Sequence, residues 1–304
     1  MSCHYMLLLI HVGFFLISSS EKADIKAISQ EISQTVDWKK EIKVHHDTLY
    51  NDLVTTISRD TCSHVYIDMG SNIGVQFRKL YQPEHYPGAK ILPVFNSSFG
   101  VNRRTVCSIG FEANHKHSSR LLHLQNAYRQ ASYPCFIFTN TAVWVQNGYM
   151  TFYDDPTAPP QVHEWGASLV HRAANATGTD SLTIDASFFI NNIVHRWHKS
   201  QSYSNNSKVV VKMDIEGAEF DVLPHMLVHG SLCFIDYLTI EWHGNFYPTF
   251  TRGLDKKIKE ITSFLTSNDV SCKFKILEID DETYVNDTDV ALPVLMKSIN
   301  LARV

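Results

Sequence analysis

The chain has 304 residues, 44% of them hydrophobic and 19% charged, with a formal net charge of -4 and a sequence pI near 6.4. That composition supports the core of one large domain, or of a domain with a small accessory piece, and describes a soluble protein of enzyme size. No run of Lys or Arg exceeds two residues and there is no global basic field, which argues against nucleic acid as a partner.

The first segment carries an address. Met6 to Ile17 reads MLLLIHVGFFLI, a compact apolar run, followed by Ser18, Ser19 and Ser20, small residues of the kind that precede a signal-peptidase cut. The run is short for a bilayer span. Residues 1–20 are therefore expected to be a signal peptide, with no stable membrane span left after its cleavage. The absence of Lys or Arg ahead of the run, and His11 within it, leave a retained type II anchor as the alternative. Sequons at Asn96, Asn175, Asn205 and Asn286 agree with a glycoprotein of the endoplasmic reticulum or Golgi lumen, or a secreted one. Without Cys3 the cysteines are Cys62, Cys107, Cys135, Cys233 and Cys272, an odd set without the spacing of a disulfide framework; buried thiols with at most one or two bridges are expected. The histidine pairs His115/His117 and His195/His198 lack the companion ligands of a structural zinc site and are read as solvated.

Residues 21–60 form an N-terminal helical segment, with Ile25, Ile28 and Ile32, then Leu49, Leu53 and Ile57, recurring on one face. From 61 to 304 short apolar strands alternate with amphipathic stretches: VYID, a helix over Val75–Leu80, TVCSIGFE, a helix over SSRLLHLQNAYRQA, and CFIFTNTAVW. Then come GYMTFYD, SLTIDASFFINNIV, VVVKMD, a short helix, CFIDYLTIEW, the helix DKKIKEITSFLTS and FKILEID. This rhythm predicts an α/β fold, a doubly wound and mostly parallel sheet with helices on both faces. Tyr81 to Arg104, with three prolines, breaks the rhythm and is expected to be a long loop near the ligand crevice.

The first strand runs through Asp68 into a turn, DMGSNIG, held between Gly70 and Gly74. Glycine there permits positive φ and close backbone approach, and Asn72 is suited to a left-handed conformation between them. Asp68 would repel a pyrophosphate, whereas it suits the cationic amino-acid moiety of S-adenosylmethionine; the other reading is a carboxylate that caps the turn. Glu112 ends the second strand, where a carboxylate accepts ribose hydroxyls, or else caps the following turn with Asn114.

VVVKMDIEGAEFDVL, Val209 to Leu223, taken with DMGSNIG, GFEAN and LTIEWHG, resembles the FkbM-type family of S-adenosylmethionine-dependent methyltransferases, marked by a Lys-x-Asp-x-Glu-Gly-x-Glu run. Here the run is Lys212, Asp214, Glu216, Gly217 and Glu219, and the resemblance covers roughly Val65 to Ile279. It implies a class I methyltransferase (Rossmann-like) fold, S-adenosylmethionine as cofactor, and O-methylation of a small-molecule or glycan acceptor. It places TNTAVW near the adenine, with Ala142 as the small residue beneath the ring. The chain departs from the family pattern at Ala113, where Pro is common, and in the length of the 81–104 segment.

Read from the residues alone, Glu216 and Glu219 share a helical face near an N-terminus, where the dipole favours negative charge. Pro224 is expected to end or restart that helix. Glu241 and His243, two apart at a strand end, point the same way, toward Asp214. These three form the predicted catalytic set, with His243 as general base near its reference pKa of about 6.5. Glu241 either orients the ring or joins Asp214 in holding a divalent cation, a metal role that two carboxylates and one imidazole do not by themselves specify. The other functional class is a secreted, non-catalytic binding protein on a methyltransferase scaffold.

Overall fold

The computed structural model describes residues 19–59, 61–153, 168–169, 176–200, 202–244, 256–257, 260, 272, 274–281 and 283, with side chains from residue 39 onward. The leader through Ser18, the sequons at Asn175 and Asn286, and most of the expected helix over 255–267 lie outside the described residues. The chain divides into two compact units, residues 1–50 and 51–304. Helix α1, Ser19–Ser58, runs through that division. Within the second unit it buries Leu53 and Ile57 completely, two of the three residues whose spacing marked its apolar face there.

The second unit is an α/β layer structure. Strands β1 (His64–Met69), β2 (Val106–Glu112) and β3 (Cys135–Thr139) are followed by a small second sheet of β4 (Thr141–Trp144), β5 (Gly148–Tyr153) and β6 (Gly178–Asp185). The chain returns to the main sheet in β7 (Val209–Met213), β8 (Tyr237–Ile240) and β9 (Lys275–Glu278). The main sheet is six-stranded, in the order β3-β2-β1-β7-β8-β9, and every pairing is parallel. In order of entry this is 3-2-1-4-5-6, the doubly wound order of Rossmann-like folds. Its inner strands are buried on both faces, which is why VVV, VYI and CSIGF read as continuous apolar runs.

Helices α2 (Val75–Tyr81), α3 (Leu92–Phe99) and α4 (Ser118–Gln130) belong to one face. There Tyr66, Phe77, Leu80, Phe95, Leu121, Leu124, Ile137 and Val210 form one buried cluster. Helix α5 (Ala186–His198) packs on the other, with Phe189 set edge-on against Phe111 and Phe138. Helix α6 (Glu219–Val228) follows β7.

Four expectations need correction. His117, read as solvated, is buried. Tyr81–Arg104 is not a loop: it holds a short turn at Pro83–His85 and helix α3, and it buries Tyr86, Ile91, Phe95 and Phe99. Pro93 stands in the first turn of α3, where a missing N–H leaves no bond unmade. CFIFTNTAVW is two strands in two sheets, because Asn140 adopts φ 53° between β3 and β4. Pro224 sits inside α6 without ending it. The cysteines stay within the expected limit: Cys62–Cys107 and Cys233–Cys272 are bridged and Cys135 is a buried free thiol.

Candidate functional site

Parallel sheets bind ligands beyond the carboxyl ends of their strands, at the point where the strand order reverses. Here that point lies between β1 and β7. After β1, Gly70 (φ 84°), Asn72 (φ 49°) and Gly74 (φ 86°) all take positive φ, as the turn DMGSNIG led one to expect. The turn is stitched to the end of β2 by Gly70 N–H and Ser71 N–H, both donating to the Phe111 carbonyl. After β7, Asp214 N–H donates to the Met69 carbonyl, so the two strand ends leave the sheet together. Lys212 ties them further: its Nζ donates to the Gly70 carbonyl at 3.0 Å and to Asp214 Oδ2 at 2.8 Å.

A cleft of about 550 Å³, counting space open to solvent, lies over these ends. Gly70, Asn72, Glu112, Ala142 and Asp214, five of the residues singled out in the sequence, line it. Glu216 adds a further carboxylate, and Phe111, Phe152, Leu169 and Ile215 supply an apolar side. Glu112 Oε2 accepts the Asn72 N–H at 2.6 Å and Oε1 accepts the Asn114 N–H at 2.7 Å. Glu112 thus takes the capping role read from the sequence, fixing both flanking turns, and it also faces the cleft. Burial pushes its pKa up to about 8, against the pull of those two N–H bonds and of Lys212.

Asp68 and Gly74 are not among the lining residues. Asp68 is fully buried beneath the turn, in register with Lys212. Its Oδ1 accepts the Tyr66 hydroxyl at 3.3 Å and lies 3.8 Å from Lys212 Nζ, while its Oδ2 has no hydrogen-bond partner. Burial pushes its pKa up to about 6, against Lys212 and the Ser71 and Tyr66 hydroxyls. Gly74 serves packing: a β-carbon there would stand 2.5 Å from Leu124 Cδ2, so the glycine lets α2 start close against α4.

Asp214, Glu241 and His243 do converge, just beyond the ends of β7 and β8. His243 Nε2 lies 3.7 Å from Asp214 Oδ1, 3.7 Å from Glu216 Oε2 and 3.6 Å from Glu241 Oε1. Its Nδ1–H donates to Glu219 Oε1 at 2.9 Å. The fully buried Glu219 also accepts N–H bonds from Ile215 and Gly217, so it shapes the turn that carries Glu216.

This corrects two readings. Glu216 and Glu219 do not share a helical face, since Glu216 lies in the turn at φ 55° and Glu219 opens α6. The histidine is not near its reference value: burial alone would pull it down, but the Glu219 hydrogen bond and the charges of Glu219, Glu216 and Asp214 push it up to about 9. The orienting role of Glu219 and the apolar wall of Phe152 and Leu169 escaped the sequence reading; the strand alternation of GYMTFY was the available signal for Phe152. Comparison with protein-family models, with curated proteins and with solved structures finds no match to this chain.

Proposed function

We propose that the protein is an S-adenosylmethionine-dependent methyltransferase of the FkbM type, transferring a methyl group to a hydroxyl of a glycan or small molecule in the secretory pathway. The charge of the cleft carries this reading. Among the described residues that line it, Glu112, Asp214 and Glu216 are acidic and none is basic. A pyrophosphate finds no basic lining side chain to pair with here, whereas a sulfonium with an amino-acid tail brings a charge complementary to the acidic lining.

The residues suit such a ligand on further grounds. Gly70 lets the main chain approach closely, and Asn72 keeps a buried Oδ1 without a hydrogen-bond partner. Glu112 would take the ribose hydroxyls, and Ala142, Phe152 and Leu169 form an apolar end for the adenine. When bound, the cofactor supplies an activated methyl group with its own leaving group. The chain has to orient an acceptor oxygen and remove its proton. Asp214, Glu241 and His243 stand at the edge of the cleft for that task. His243, its Nδ1–H held by Glu219, is aimed to position the acceptor oxygen through Nε2, and the proton passes to a carboxylate, Asp214 first.

The two disulfides and the exposed side chains of Asn96 and Asn205 support an oxidising, glycosylating compartment. No described helix is long and apolar enough to cross a membrane. Calorimetry with S-adenosylmethionine, S-adenosylhomocysteine and NAD separates the readings. Binding of the first two without NAD is the expected result; NAD binding alone, or none at all, overturns the assignment.

A further inference from the structure

We infer that Asp214, Glu216 and His243 form a binding site for a divalent first-row transition cation at the edge of the cleft. One ligand atom from each, Asp214 Oδ1, Glu216 Oε2 and His243 Nε2, fits a set lying within 4.8 Å of one another. The imidazole nitrogen stands 3.7 Å from both oxygens, too far for a hydrogen bond. Ligands held at about 2.0–2.2 Å by one ion sit roughly 2.8–3.6 Å apart, the edges of an octahedron and of a tetrahedron. The two imidazole-to-carboxylate spacings need to close by roughly 0.1–0.9 Å.

The support behind the three residues is that of a metal ligand set. A ligating histidine donates its other ring N–H to a carboxylate, which fixes the tautomer and aims the coordinating nitrogen. Glu219 does this for His243 from a fully buried position and is not itself one of the three. It also accepts the N–H groups of Ile215 and Gly217, on either side of Glu216. Ser168 Oγ–H donates to the Glu216 carbonyl at 2.6 Å, so the turn that holds Glu216 at φ 55° is fixed from two directions. Glu241 Oε1, 3.6 Å from the same nitrogen, borders the space.

The donor set selects the ion. Two carboxylates with one imidazole suit Mn²⁺ or Zn²⁺ better than Ca²⁺, which takes six to eight oxygens, and no thiolate is present for a softer ion. In the cleft, such an ion would coordinate an acceptor hydroxyl and make its proton easier to lose. That consequence rests on the methyl-transfer reading; the site does not.

The test titrates metal-stripped mature protein with Mn²⁺, read by electron spin resonance of the free ion, and with Zn²⁺, read by calorimetry. One ion per chain is expected. Glu216→Gln and His243→Ala should each weaken binding by more than the roughly 10–100-fold that loss of an outer-sphere partner costs. The two positions lie on different elements, so thermal melting identifies a variant that fails to fold while the other still decides. Absence of Mn²⁺ and Zn²⁺ binding by the folded wild type, or unchanged affinity in a folded variant, overturns the site. S-adenosylmethionine calorimetry on the same samples keeps the two proposals apart. Cofactor binding without metal binding removes only the ion, and metal binding without cofactor binding removes only the methyltransferase.

Discussion

Gly70 and Asp214 meet backbone to backbone at the point where the strand order reverses: a β-carbon on Gly70 would stand 1.7 Å from the Asp214 carbonyl oxygen. The contact brings the turn after β1 against the segment after β7, and the cleft depends on it. Gly70→Ala meets both that overlap and a φ of 84°. It should cost at least about 2–3 kcal/mol, seen as a lower urea midpoint with reduced cofactor affinity. A midpoint unchanged from wild type would show that the two segments part easily.

Cofactor affinity should depend on pH through Glu112. Burial holds this carboxyl neutral up to about pH 8, and ribose hydroxyls donate to the ionised form. Binding therefore releases a proton below that value. Affinity should rise with pH by up to about tenfold per unit until it levels off above pH 8. Glu112→Gln should bind more weakly and lose that part of the dependence, which calorimetry across pH 6–9 would show. An identical profile in the variant would separate Glu112 from the ligand.

Lys79 and Asp281 form a buried ion pair, Nζ to Oδ2 3.1 Å, with side chains 0% and 3% exposed. It links α2 to the segment after β9, and Ile91 N–H adds a bond to the same carboxylate oxygen. Removing one partner strands the other, so Lys79→Met or Asp281→Asn should each destabilise by about 3–5 kcal/mol. The double variant should lose less than the sum. Burial alone would raise Asp281, but the Lys79 charge and the hydrogen bonds outweigh it and hold its pKa below the usual value. The pair's stabilisation is thus complete above the usual carboxylate range and is lost as pH falls through the lowered folded value. Chemical denaturation between pH 2 and 6 should show acid sensitivity that Asp281→Asn abolishes.

Cys62–Cys107 and Cys233–Cys272 close loops of 45 and 39 residues. Loop-closure entropy makes each worth about 4 kcal/mol in the unfolded-chain account. Protein produced in animal cells should show one free thiol after leader cleavage, at Cys135, and only when unfolded. Protein produced in a reducing cytosol, where the leader and its Cys3 stay in place, should show six thiols and melt at a markedly lower temperature. Equal melting of the two preparations would remove the bridges from any stabilising role.

The fold was legible where burial is two-sided. VYIDM, VCSIGFE and VVVKM announce inner parallel strands because neither face meets water, and their order with the intervening helices implies a doubly wound sheet. Tyr81–Arg104 was opaque because its prolines and glycines mask a short helix whose apolar residues pack under β1 in three dimensions. Asn140 was opaque for a different reason: one left-handed residue moves a strand into another sheet and leaves the hydrophobic pattern unchanged. Within the site, strand ends were enough to bring Asp214, Glu241 and His243 together. Glu219 was not readable as their organiser, since its reach to His243 depends on how the turn at Gly217 folds. The acid before the glycine turn misled in another way, because alternation buries Asp68 beneath the turn it precedes.

Both bridges fasten the amino-terminal margin of the sheet: Cys62 precedes β1 and bonds to Cys107 near the start of β2, while Cys233 and Cys272 precede β8 and β9. Each clamps two adjacent strands at the edge away from the cleft. The covalent anchors and the cleft therefore occupy opposite poles of one platform. Segments after β3, β7 and β8 are expected to tolerate changes of length or sequence without disturbing either clamp, one rim free to vary while the other stays bolted.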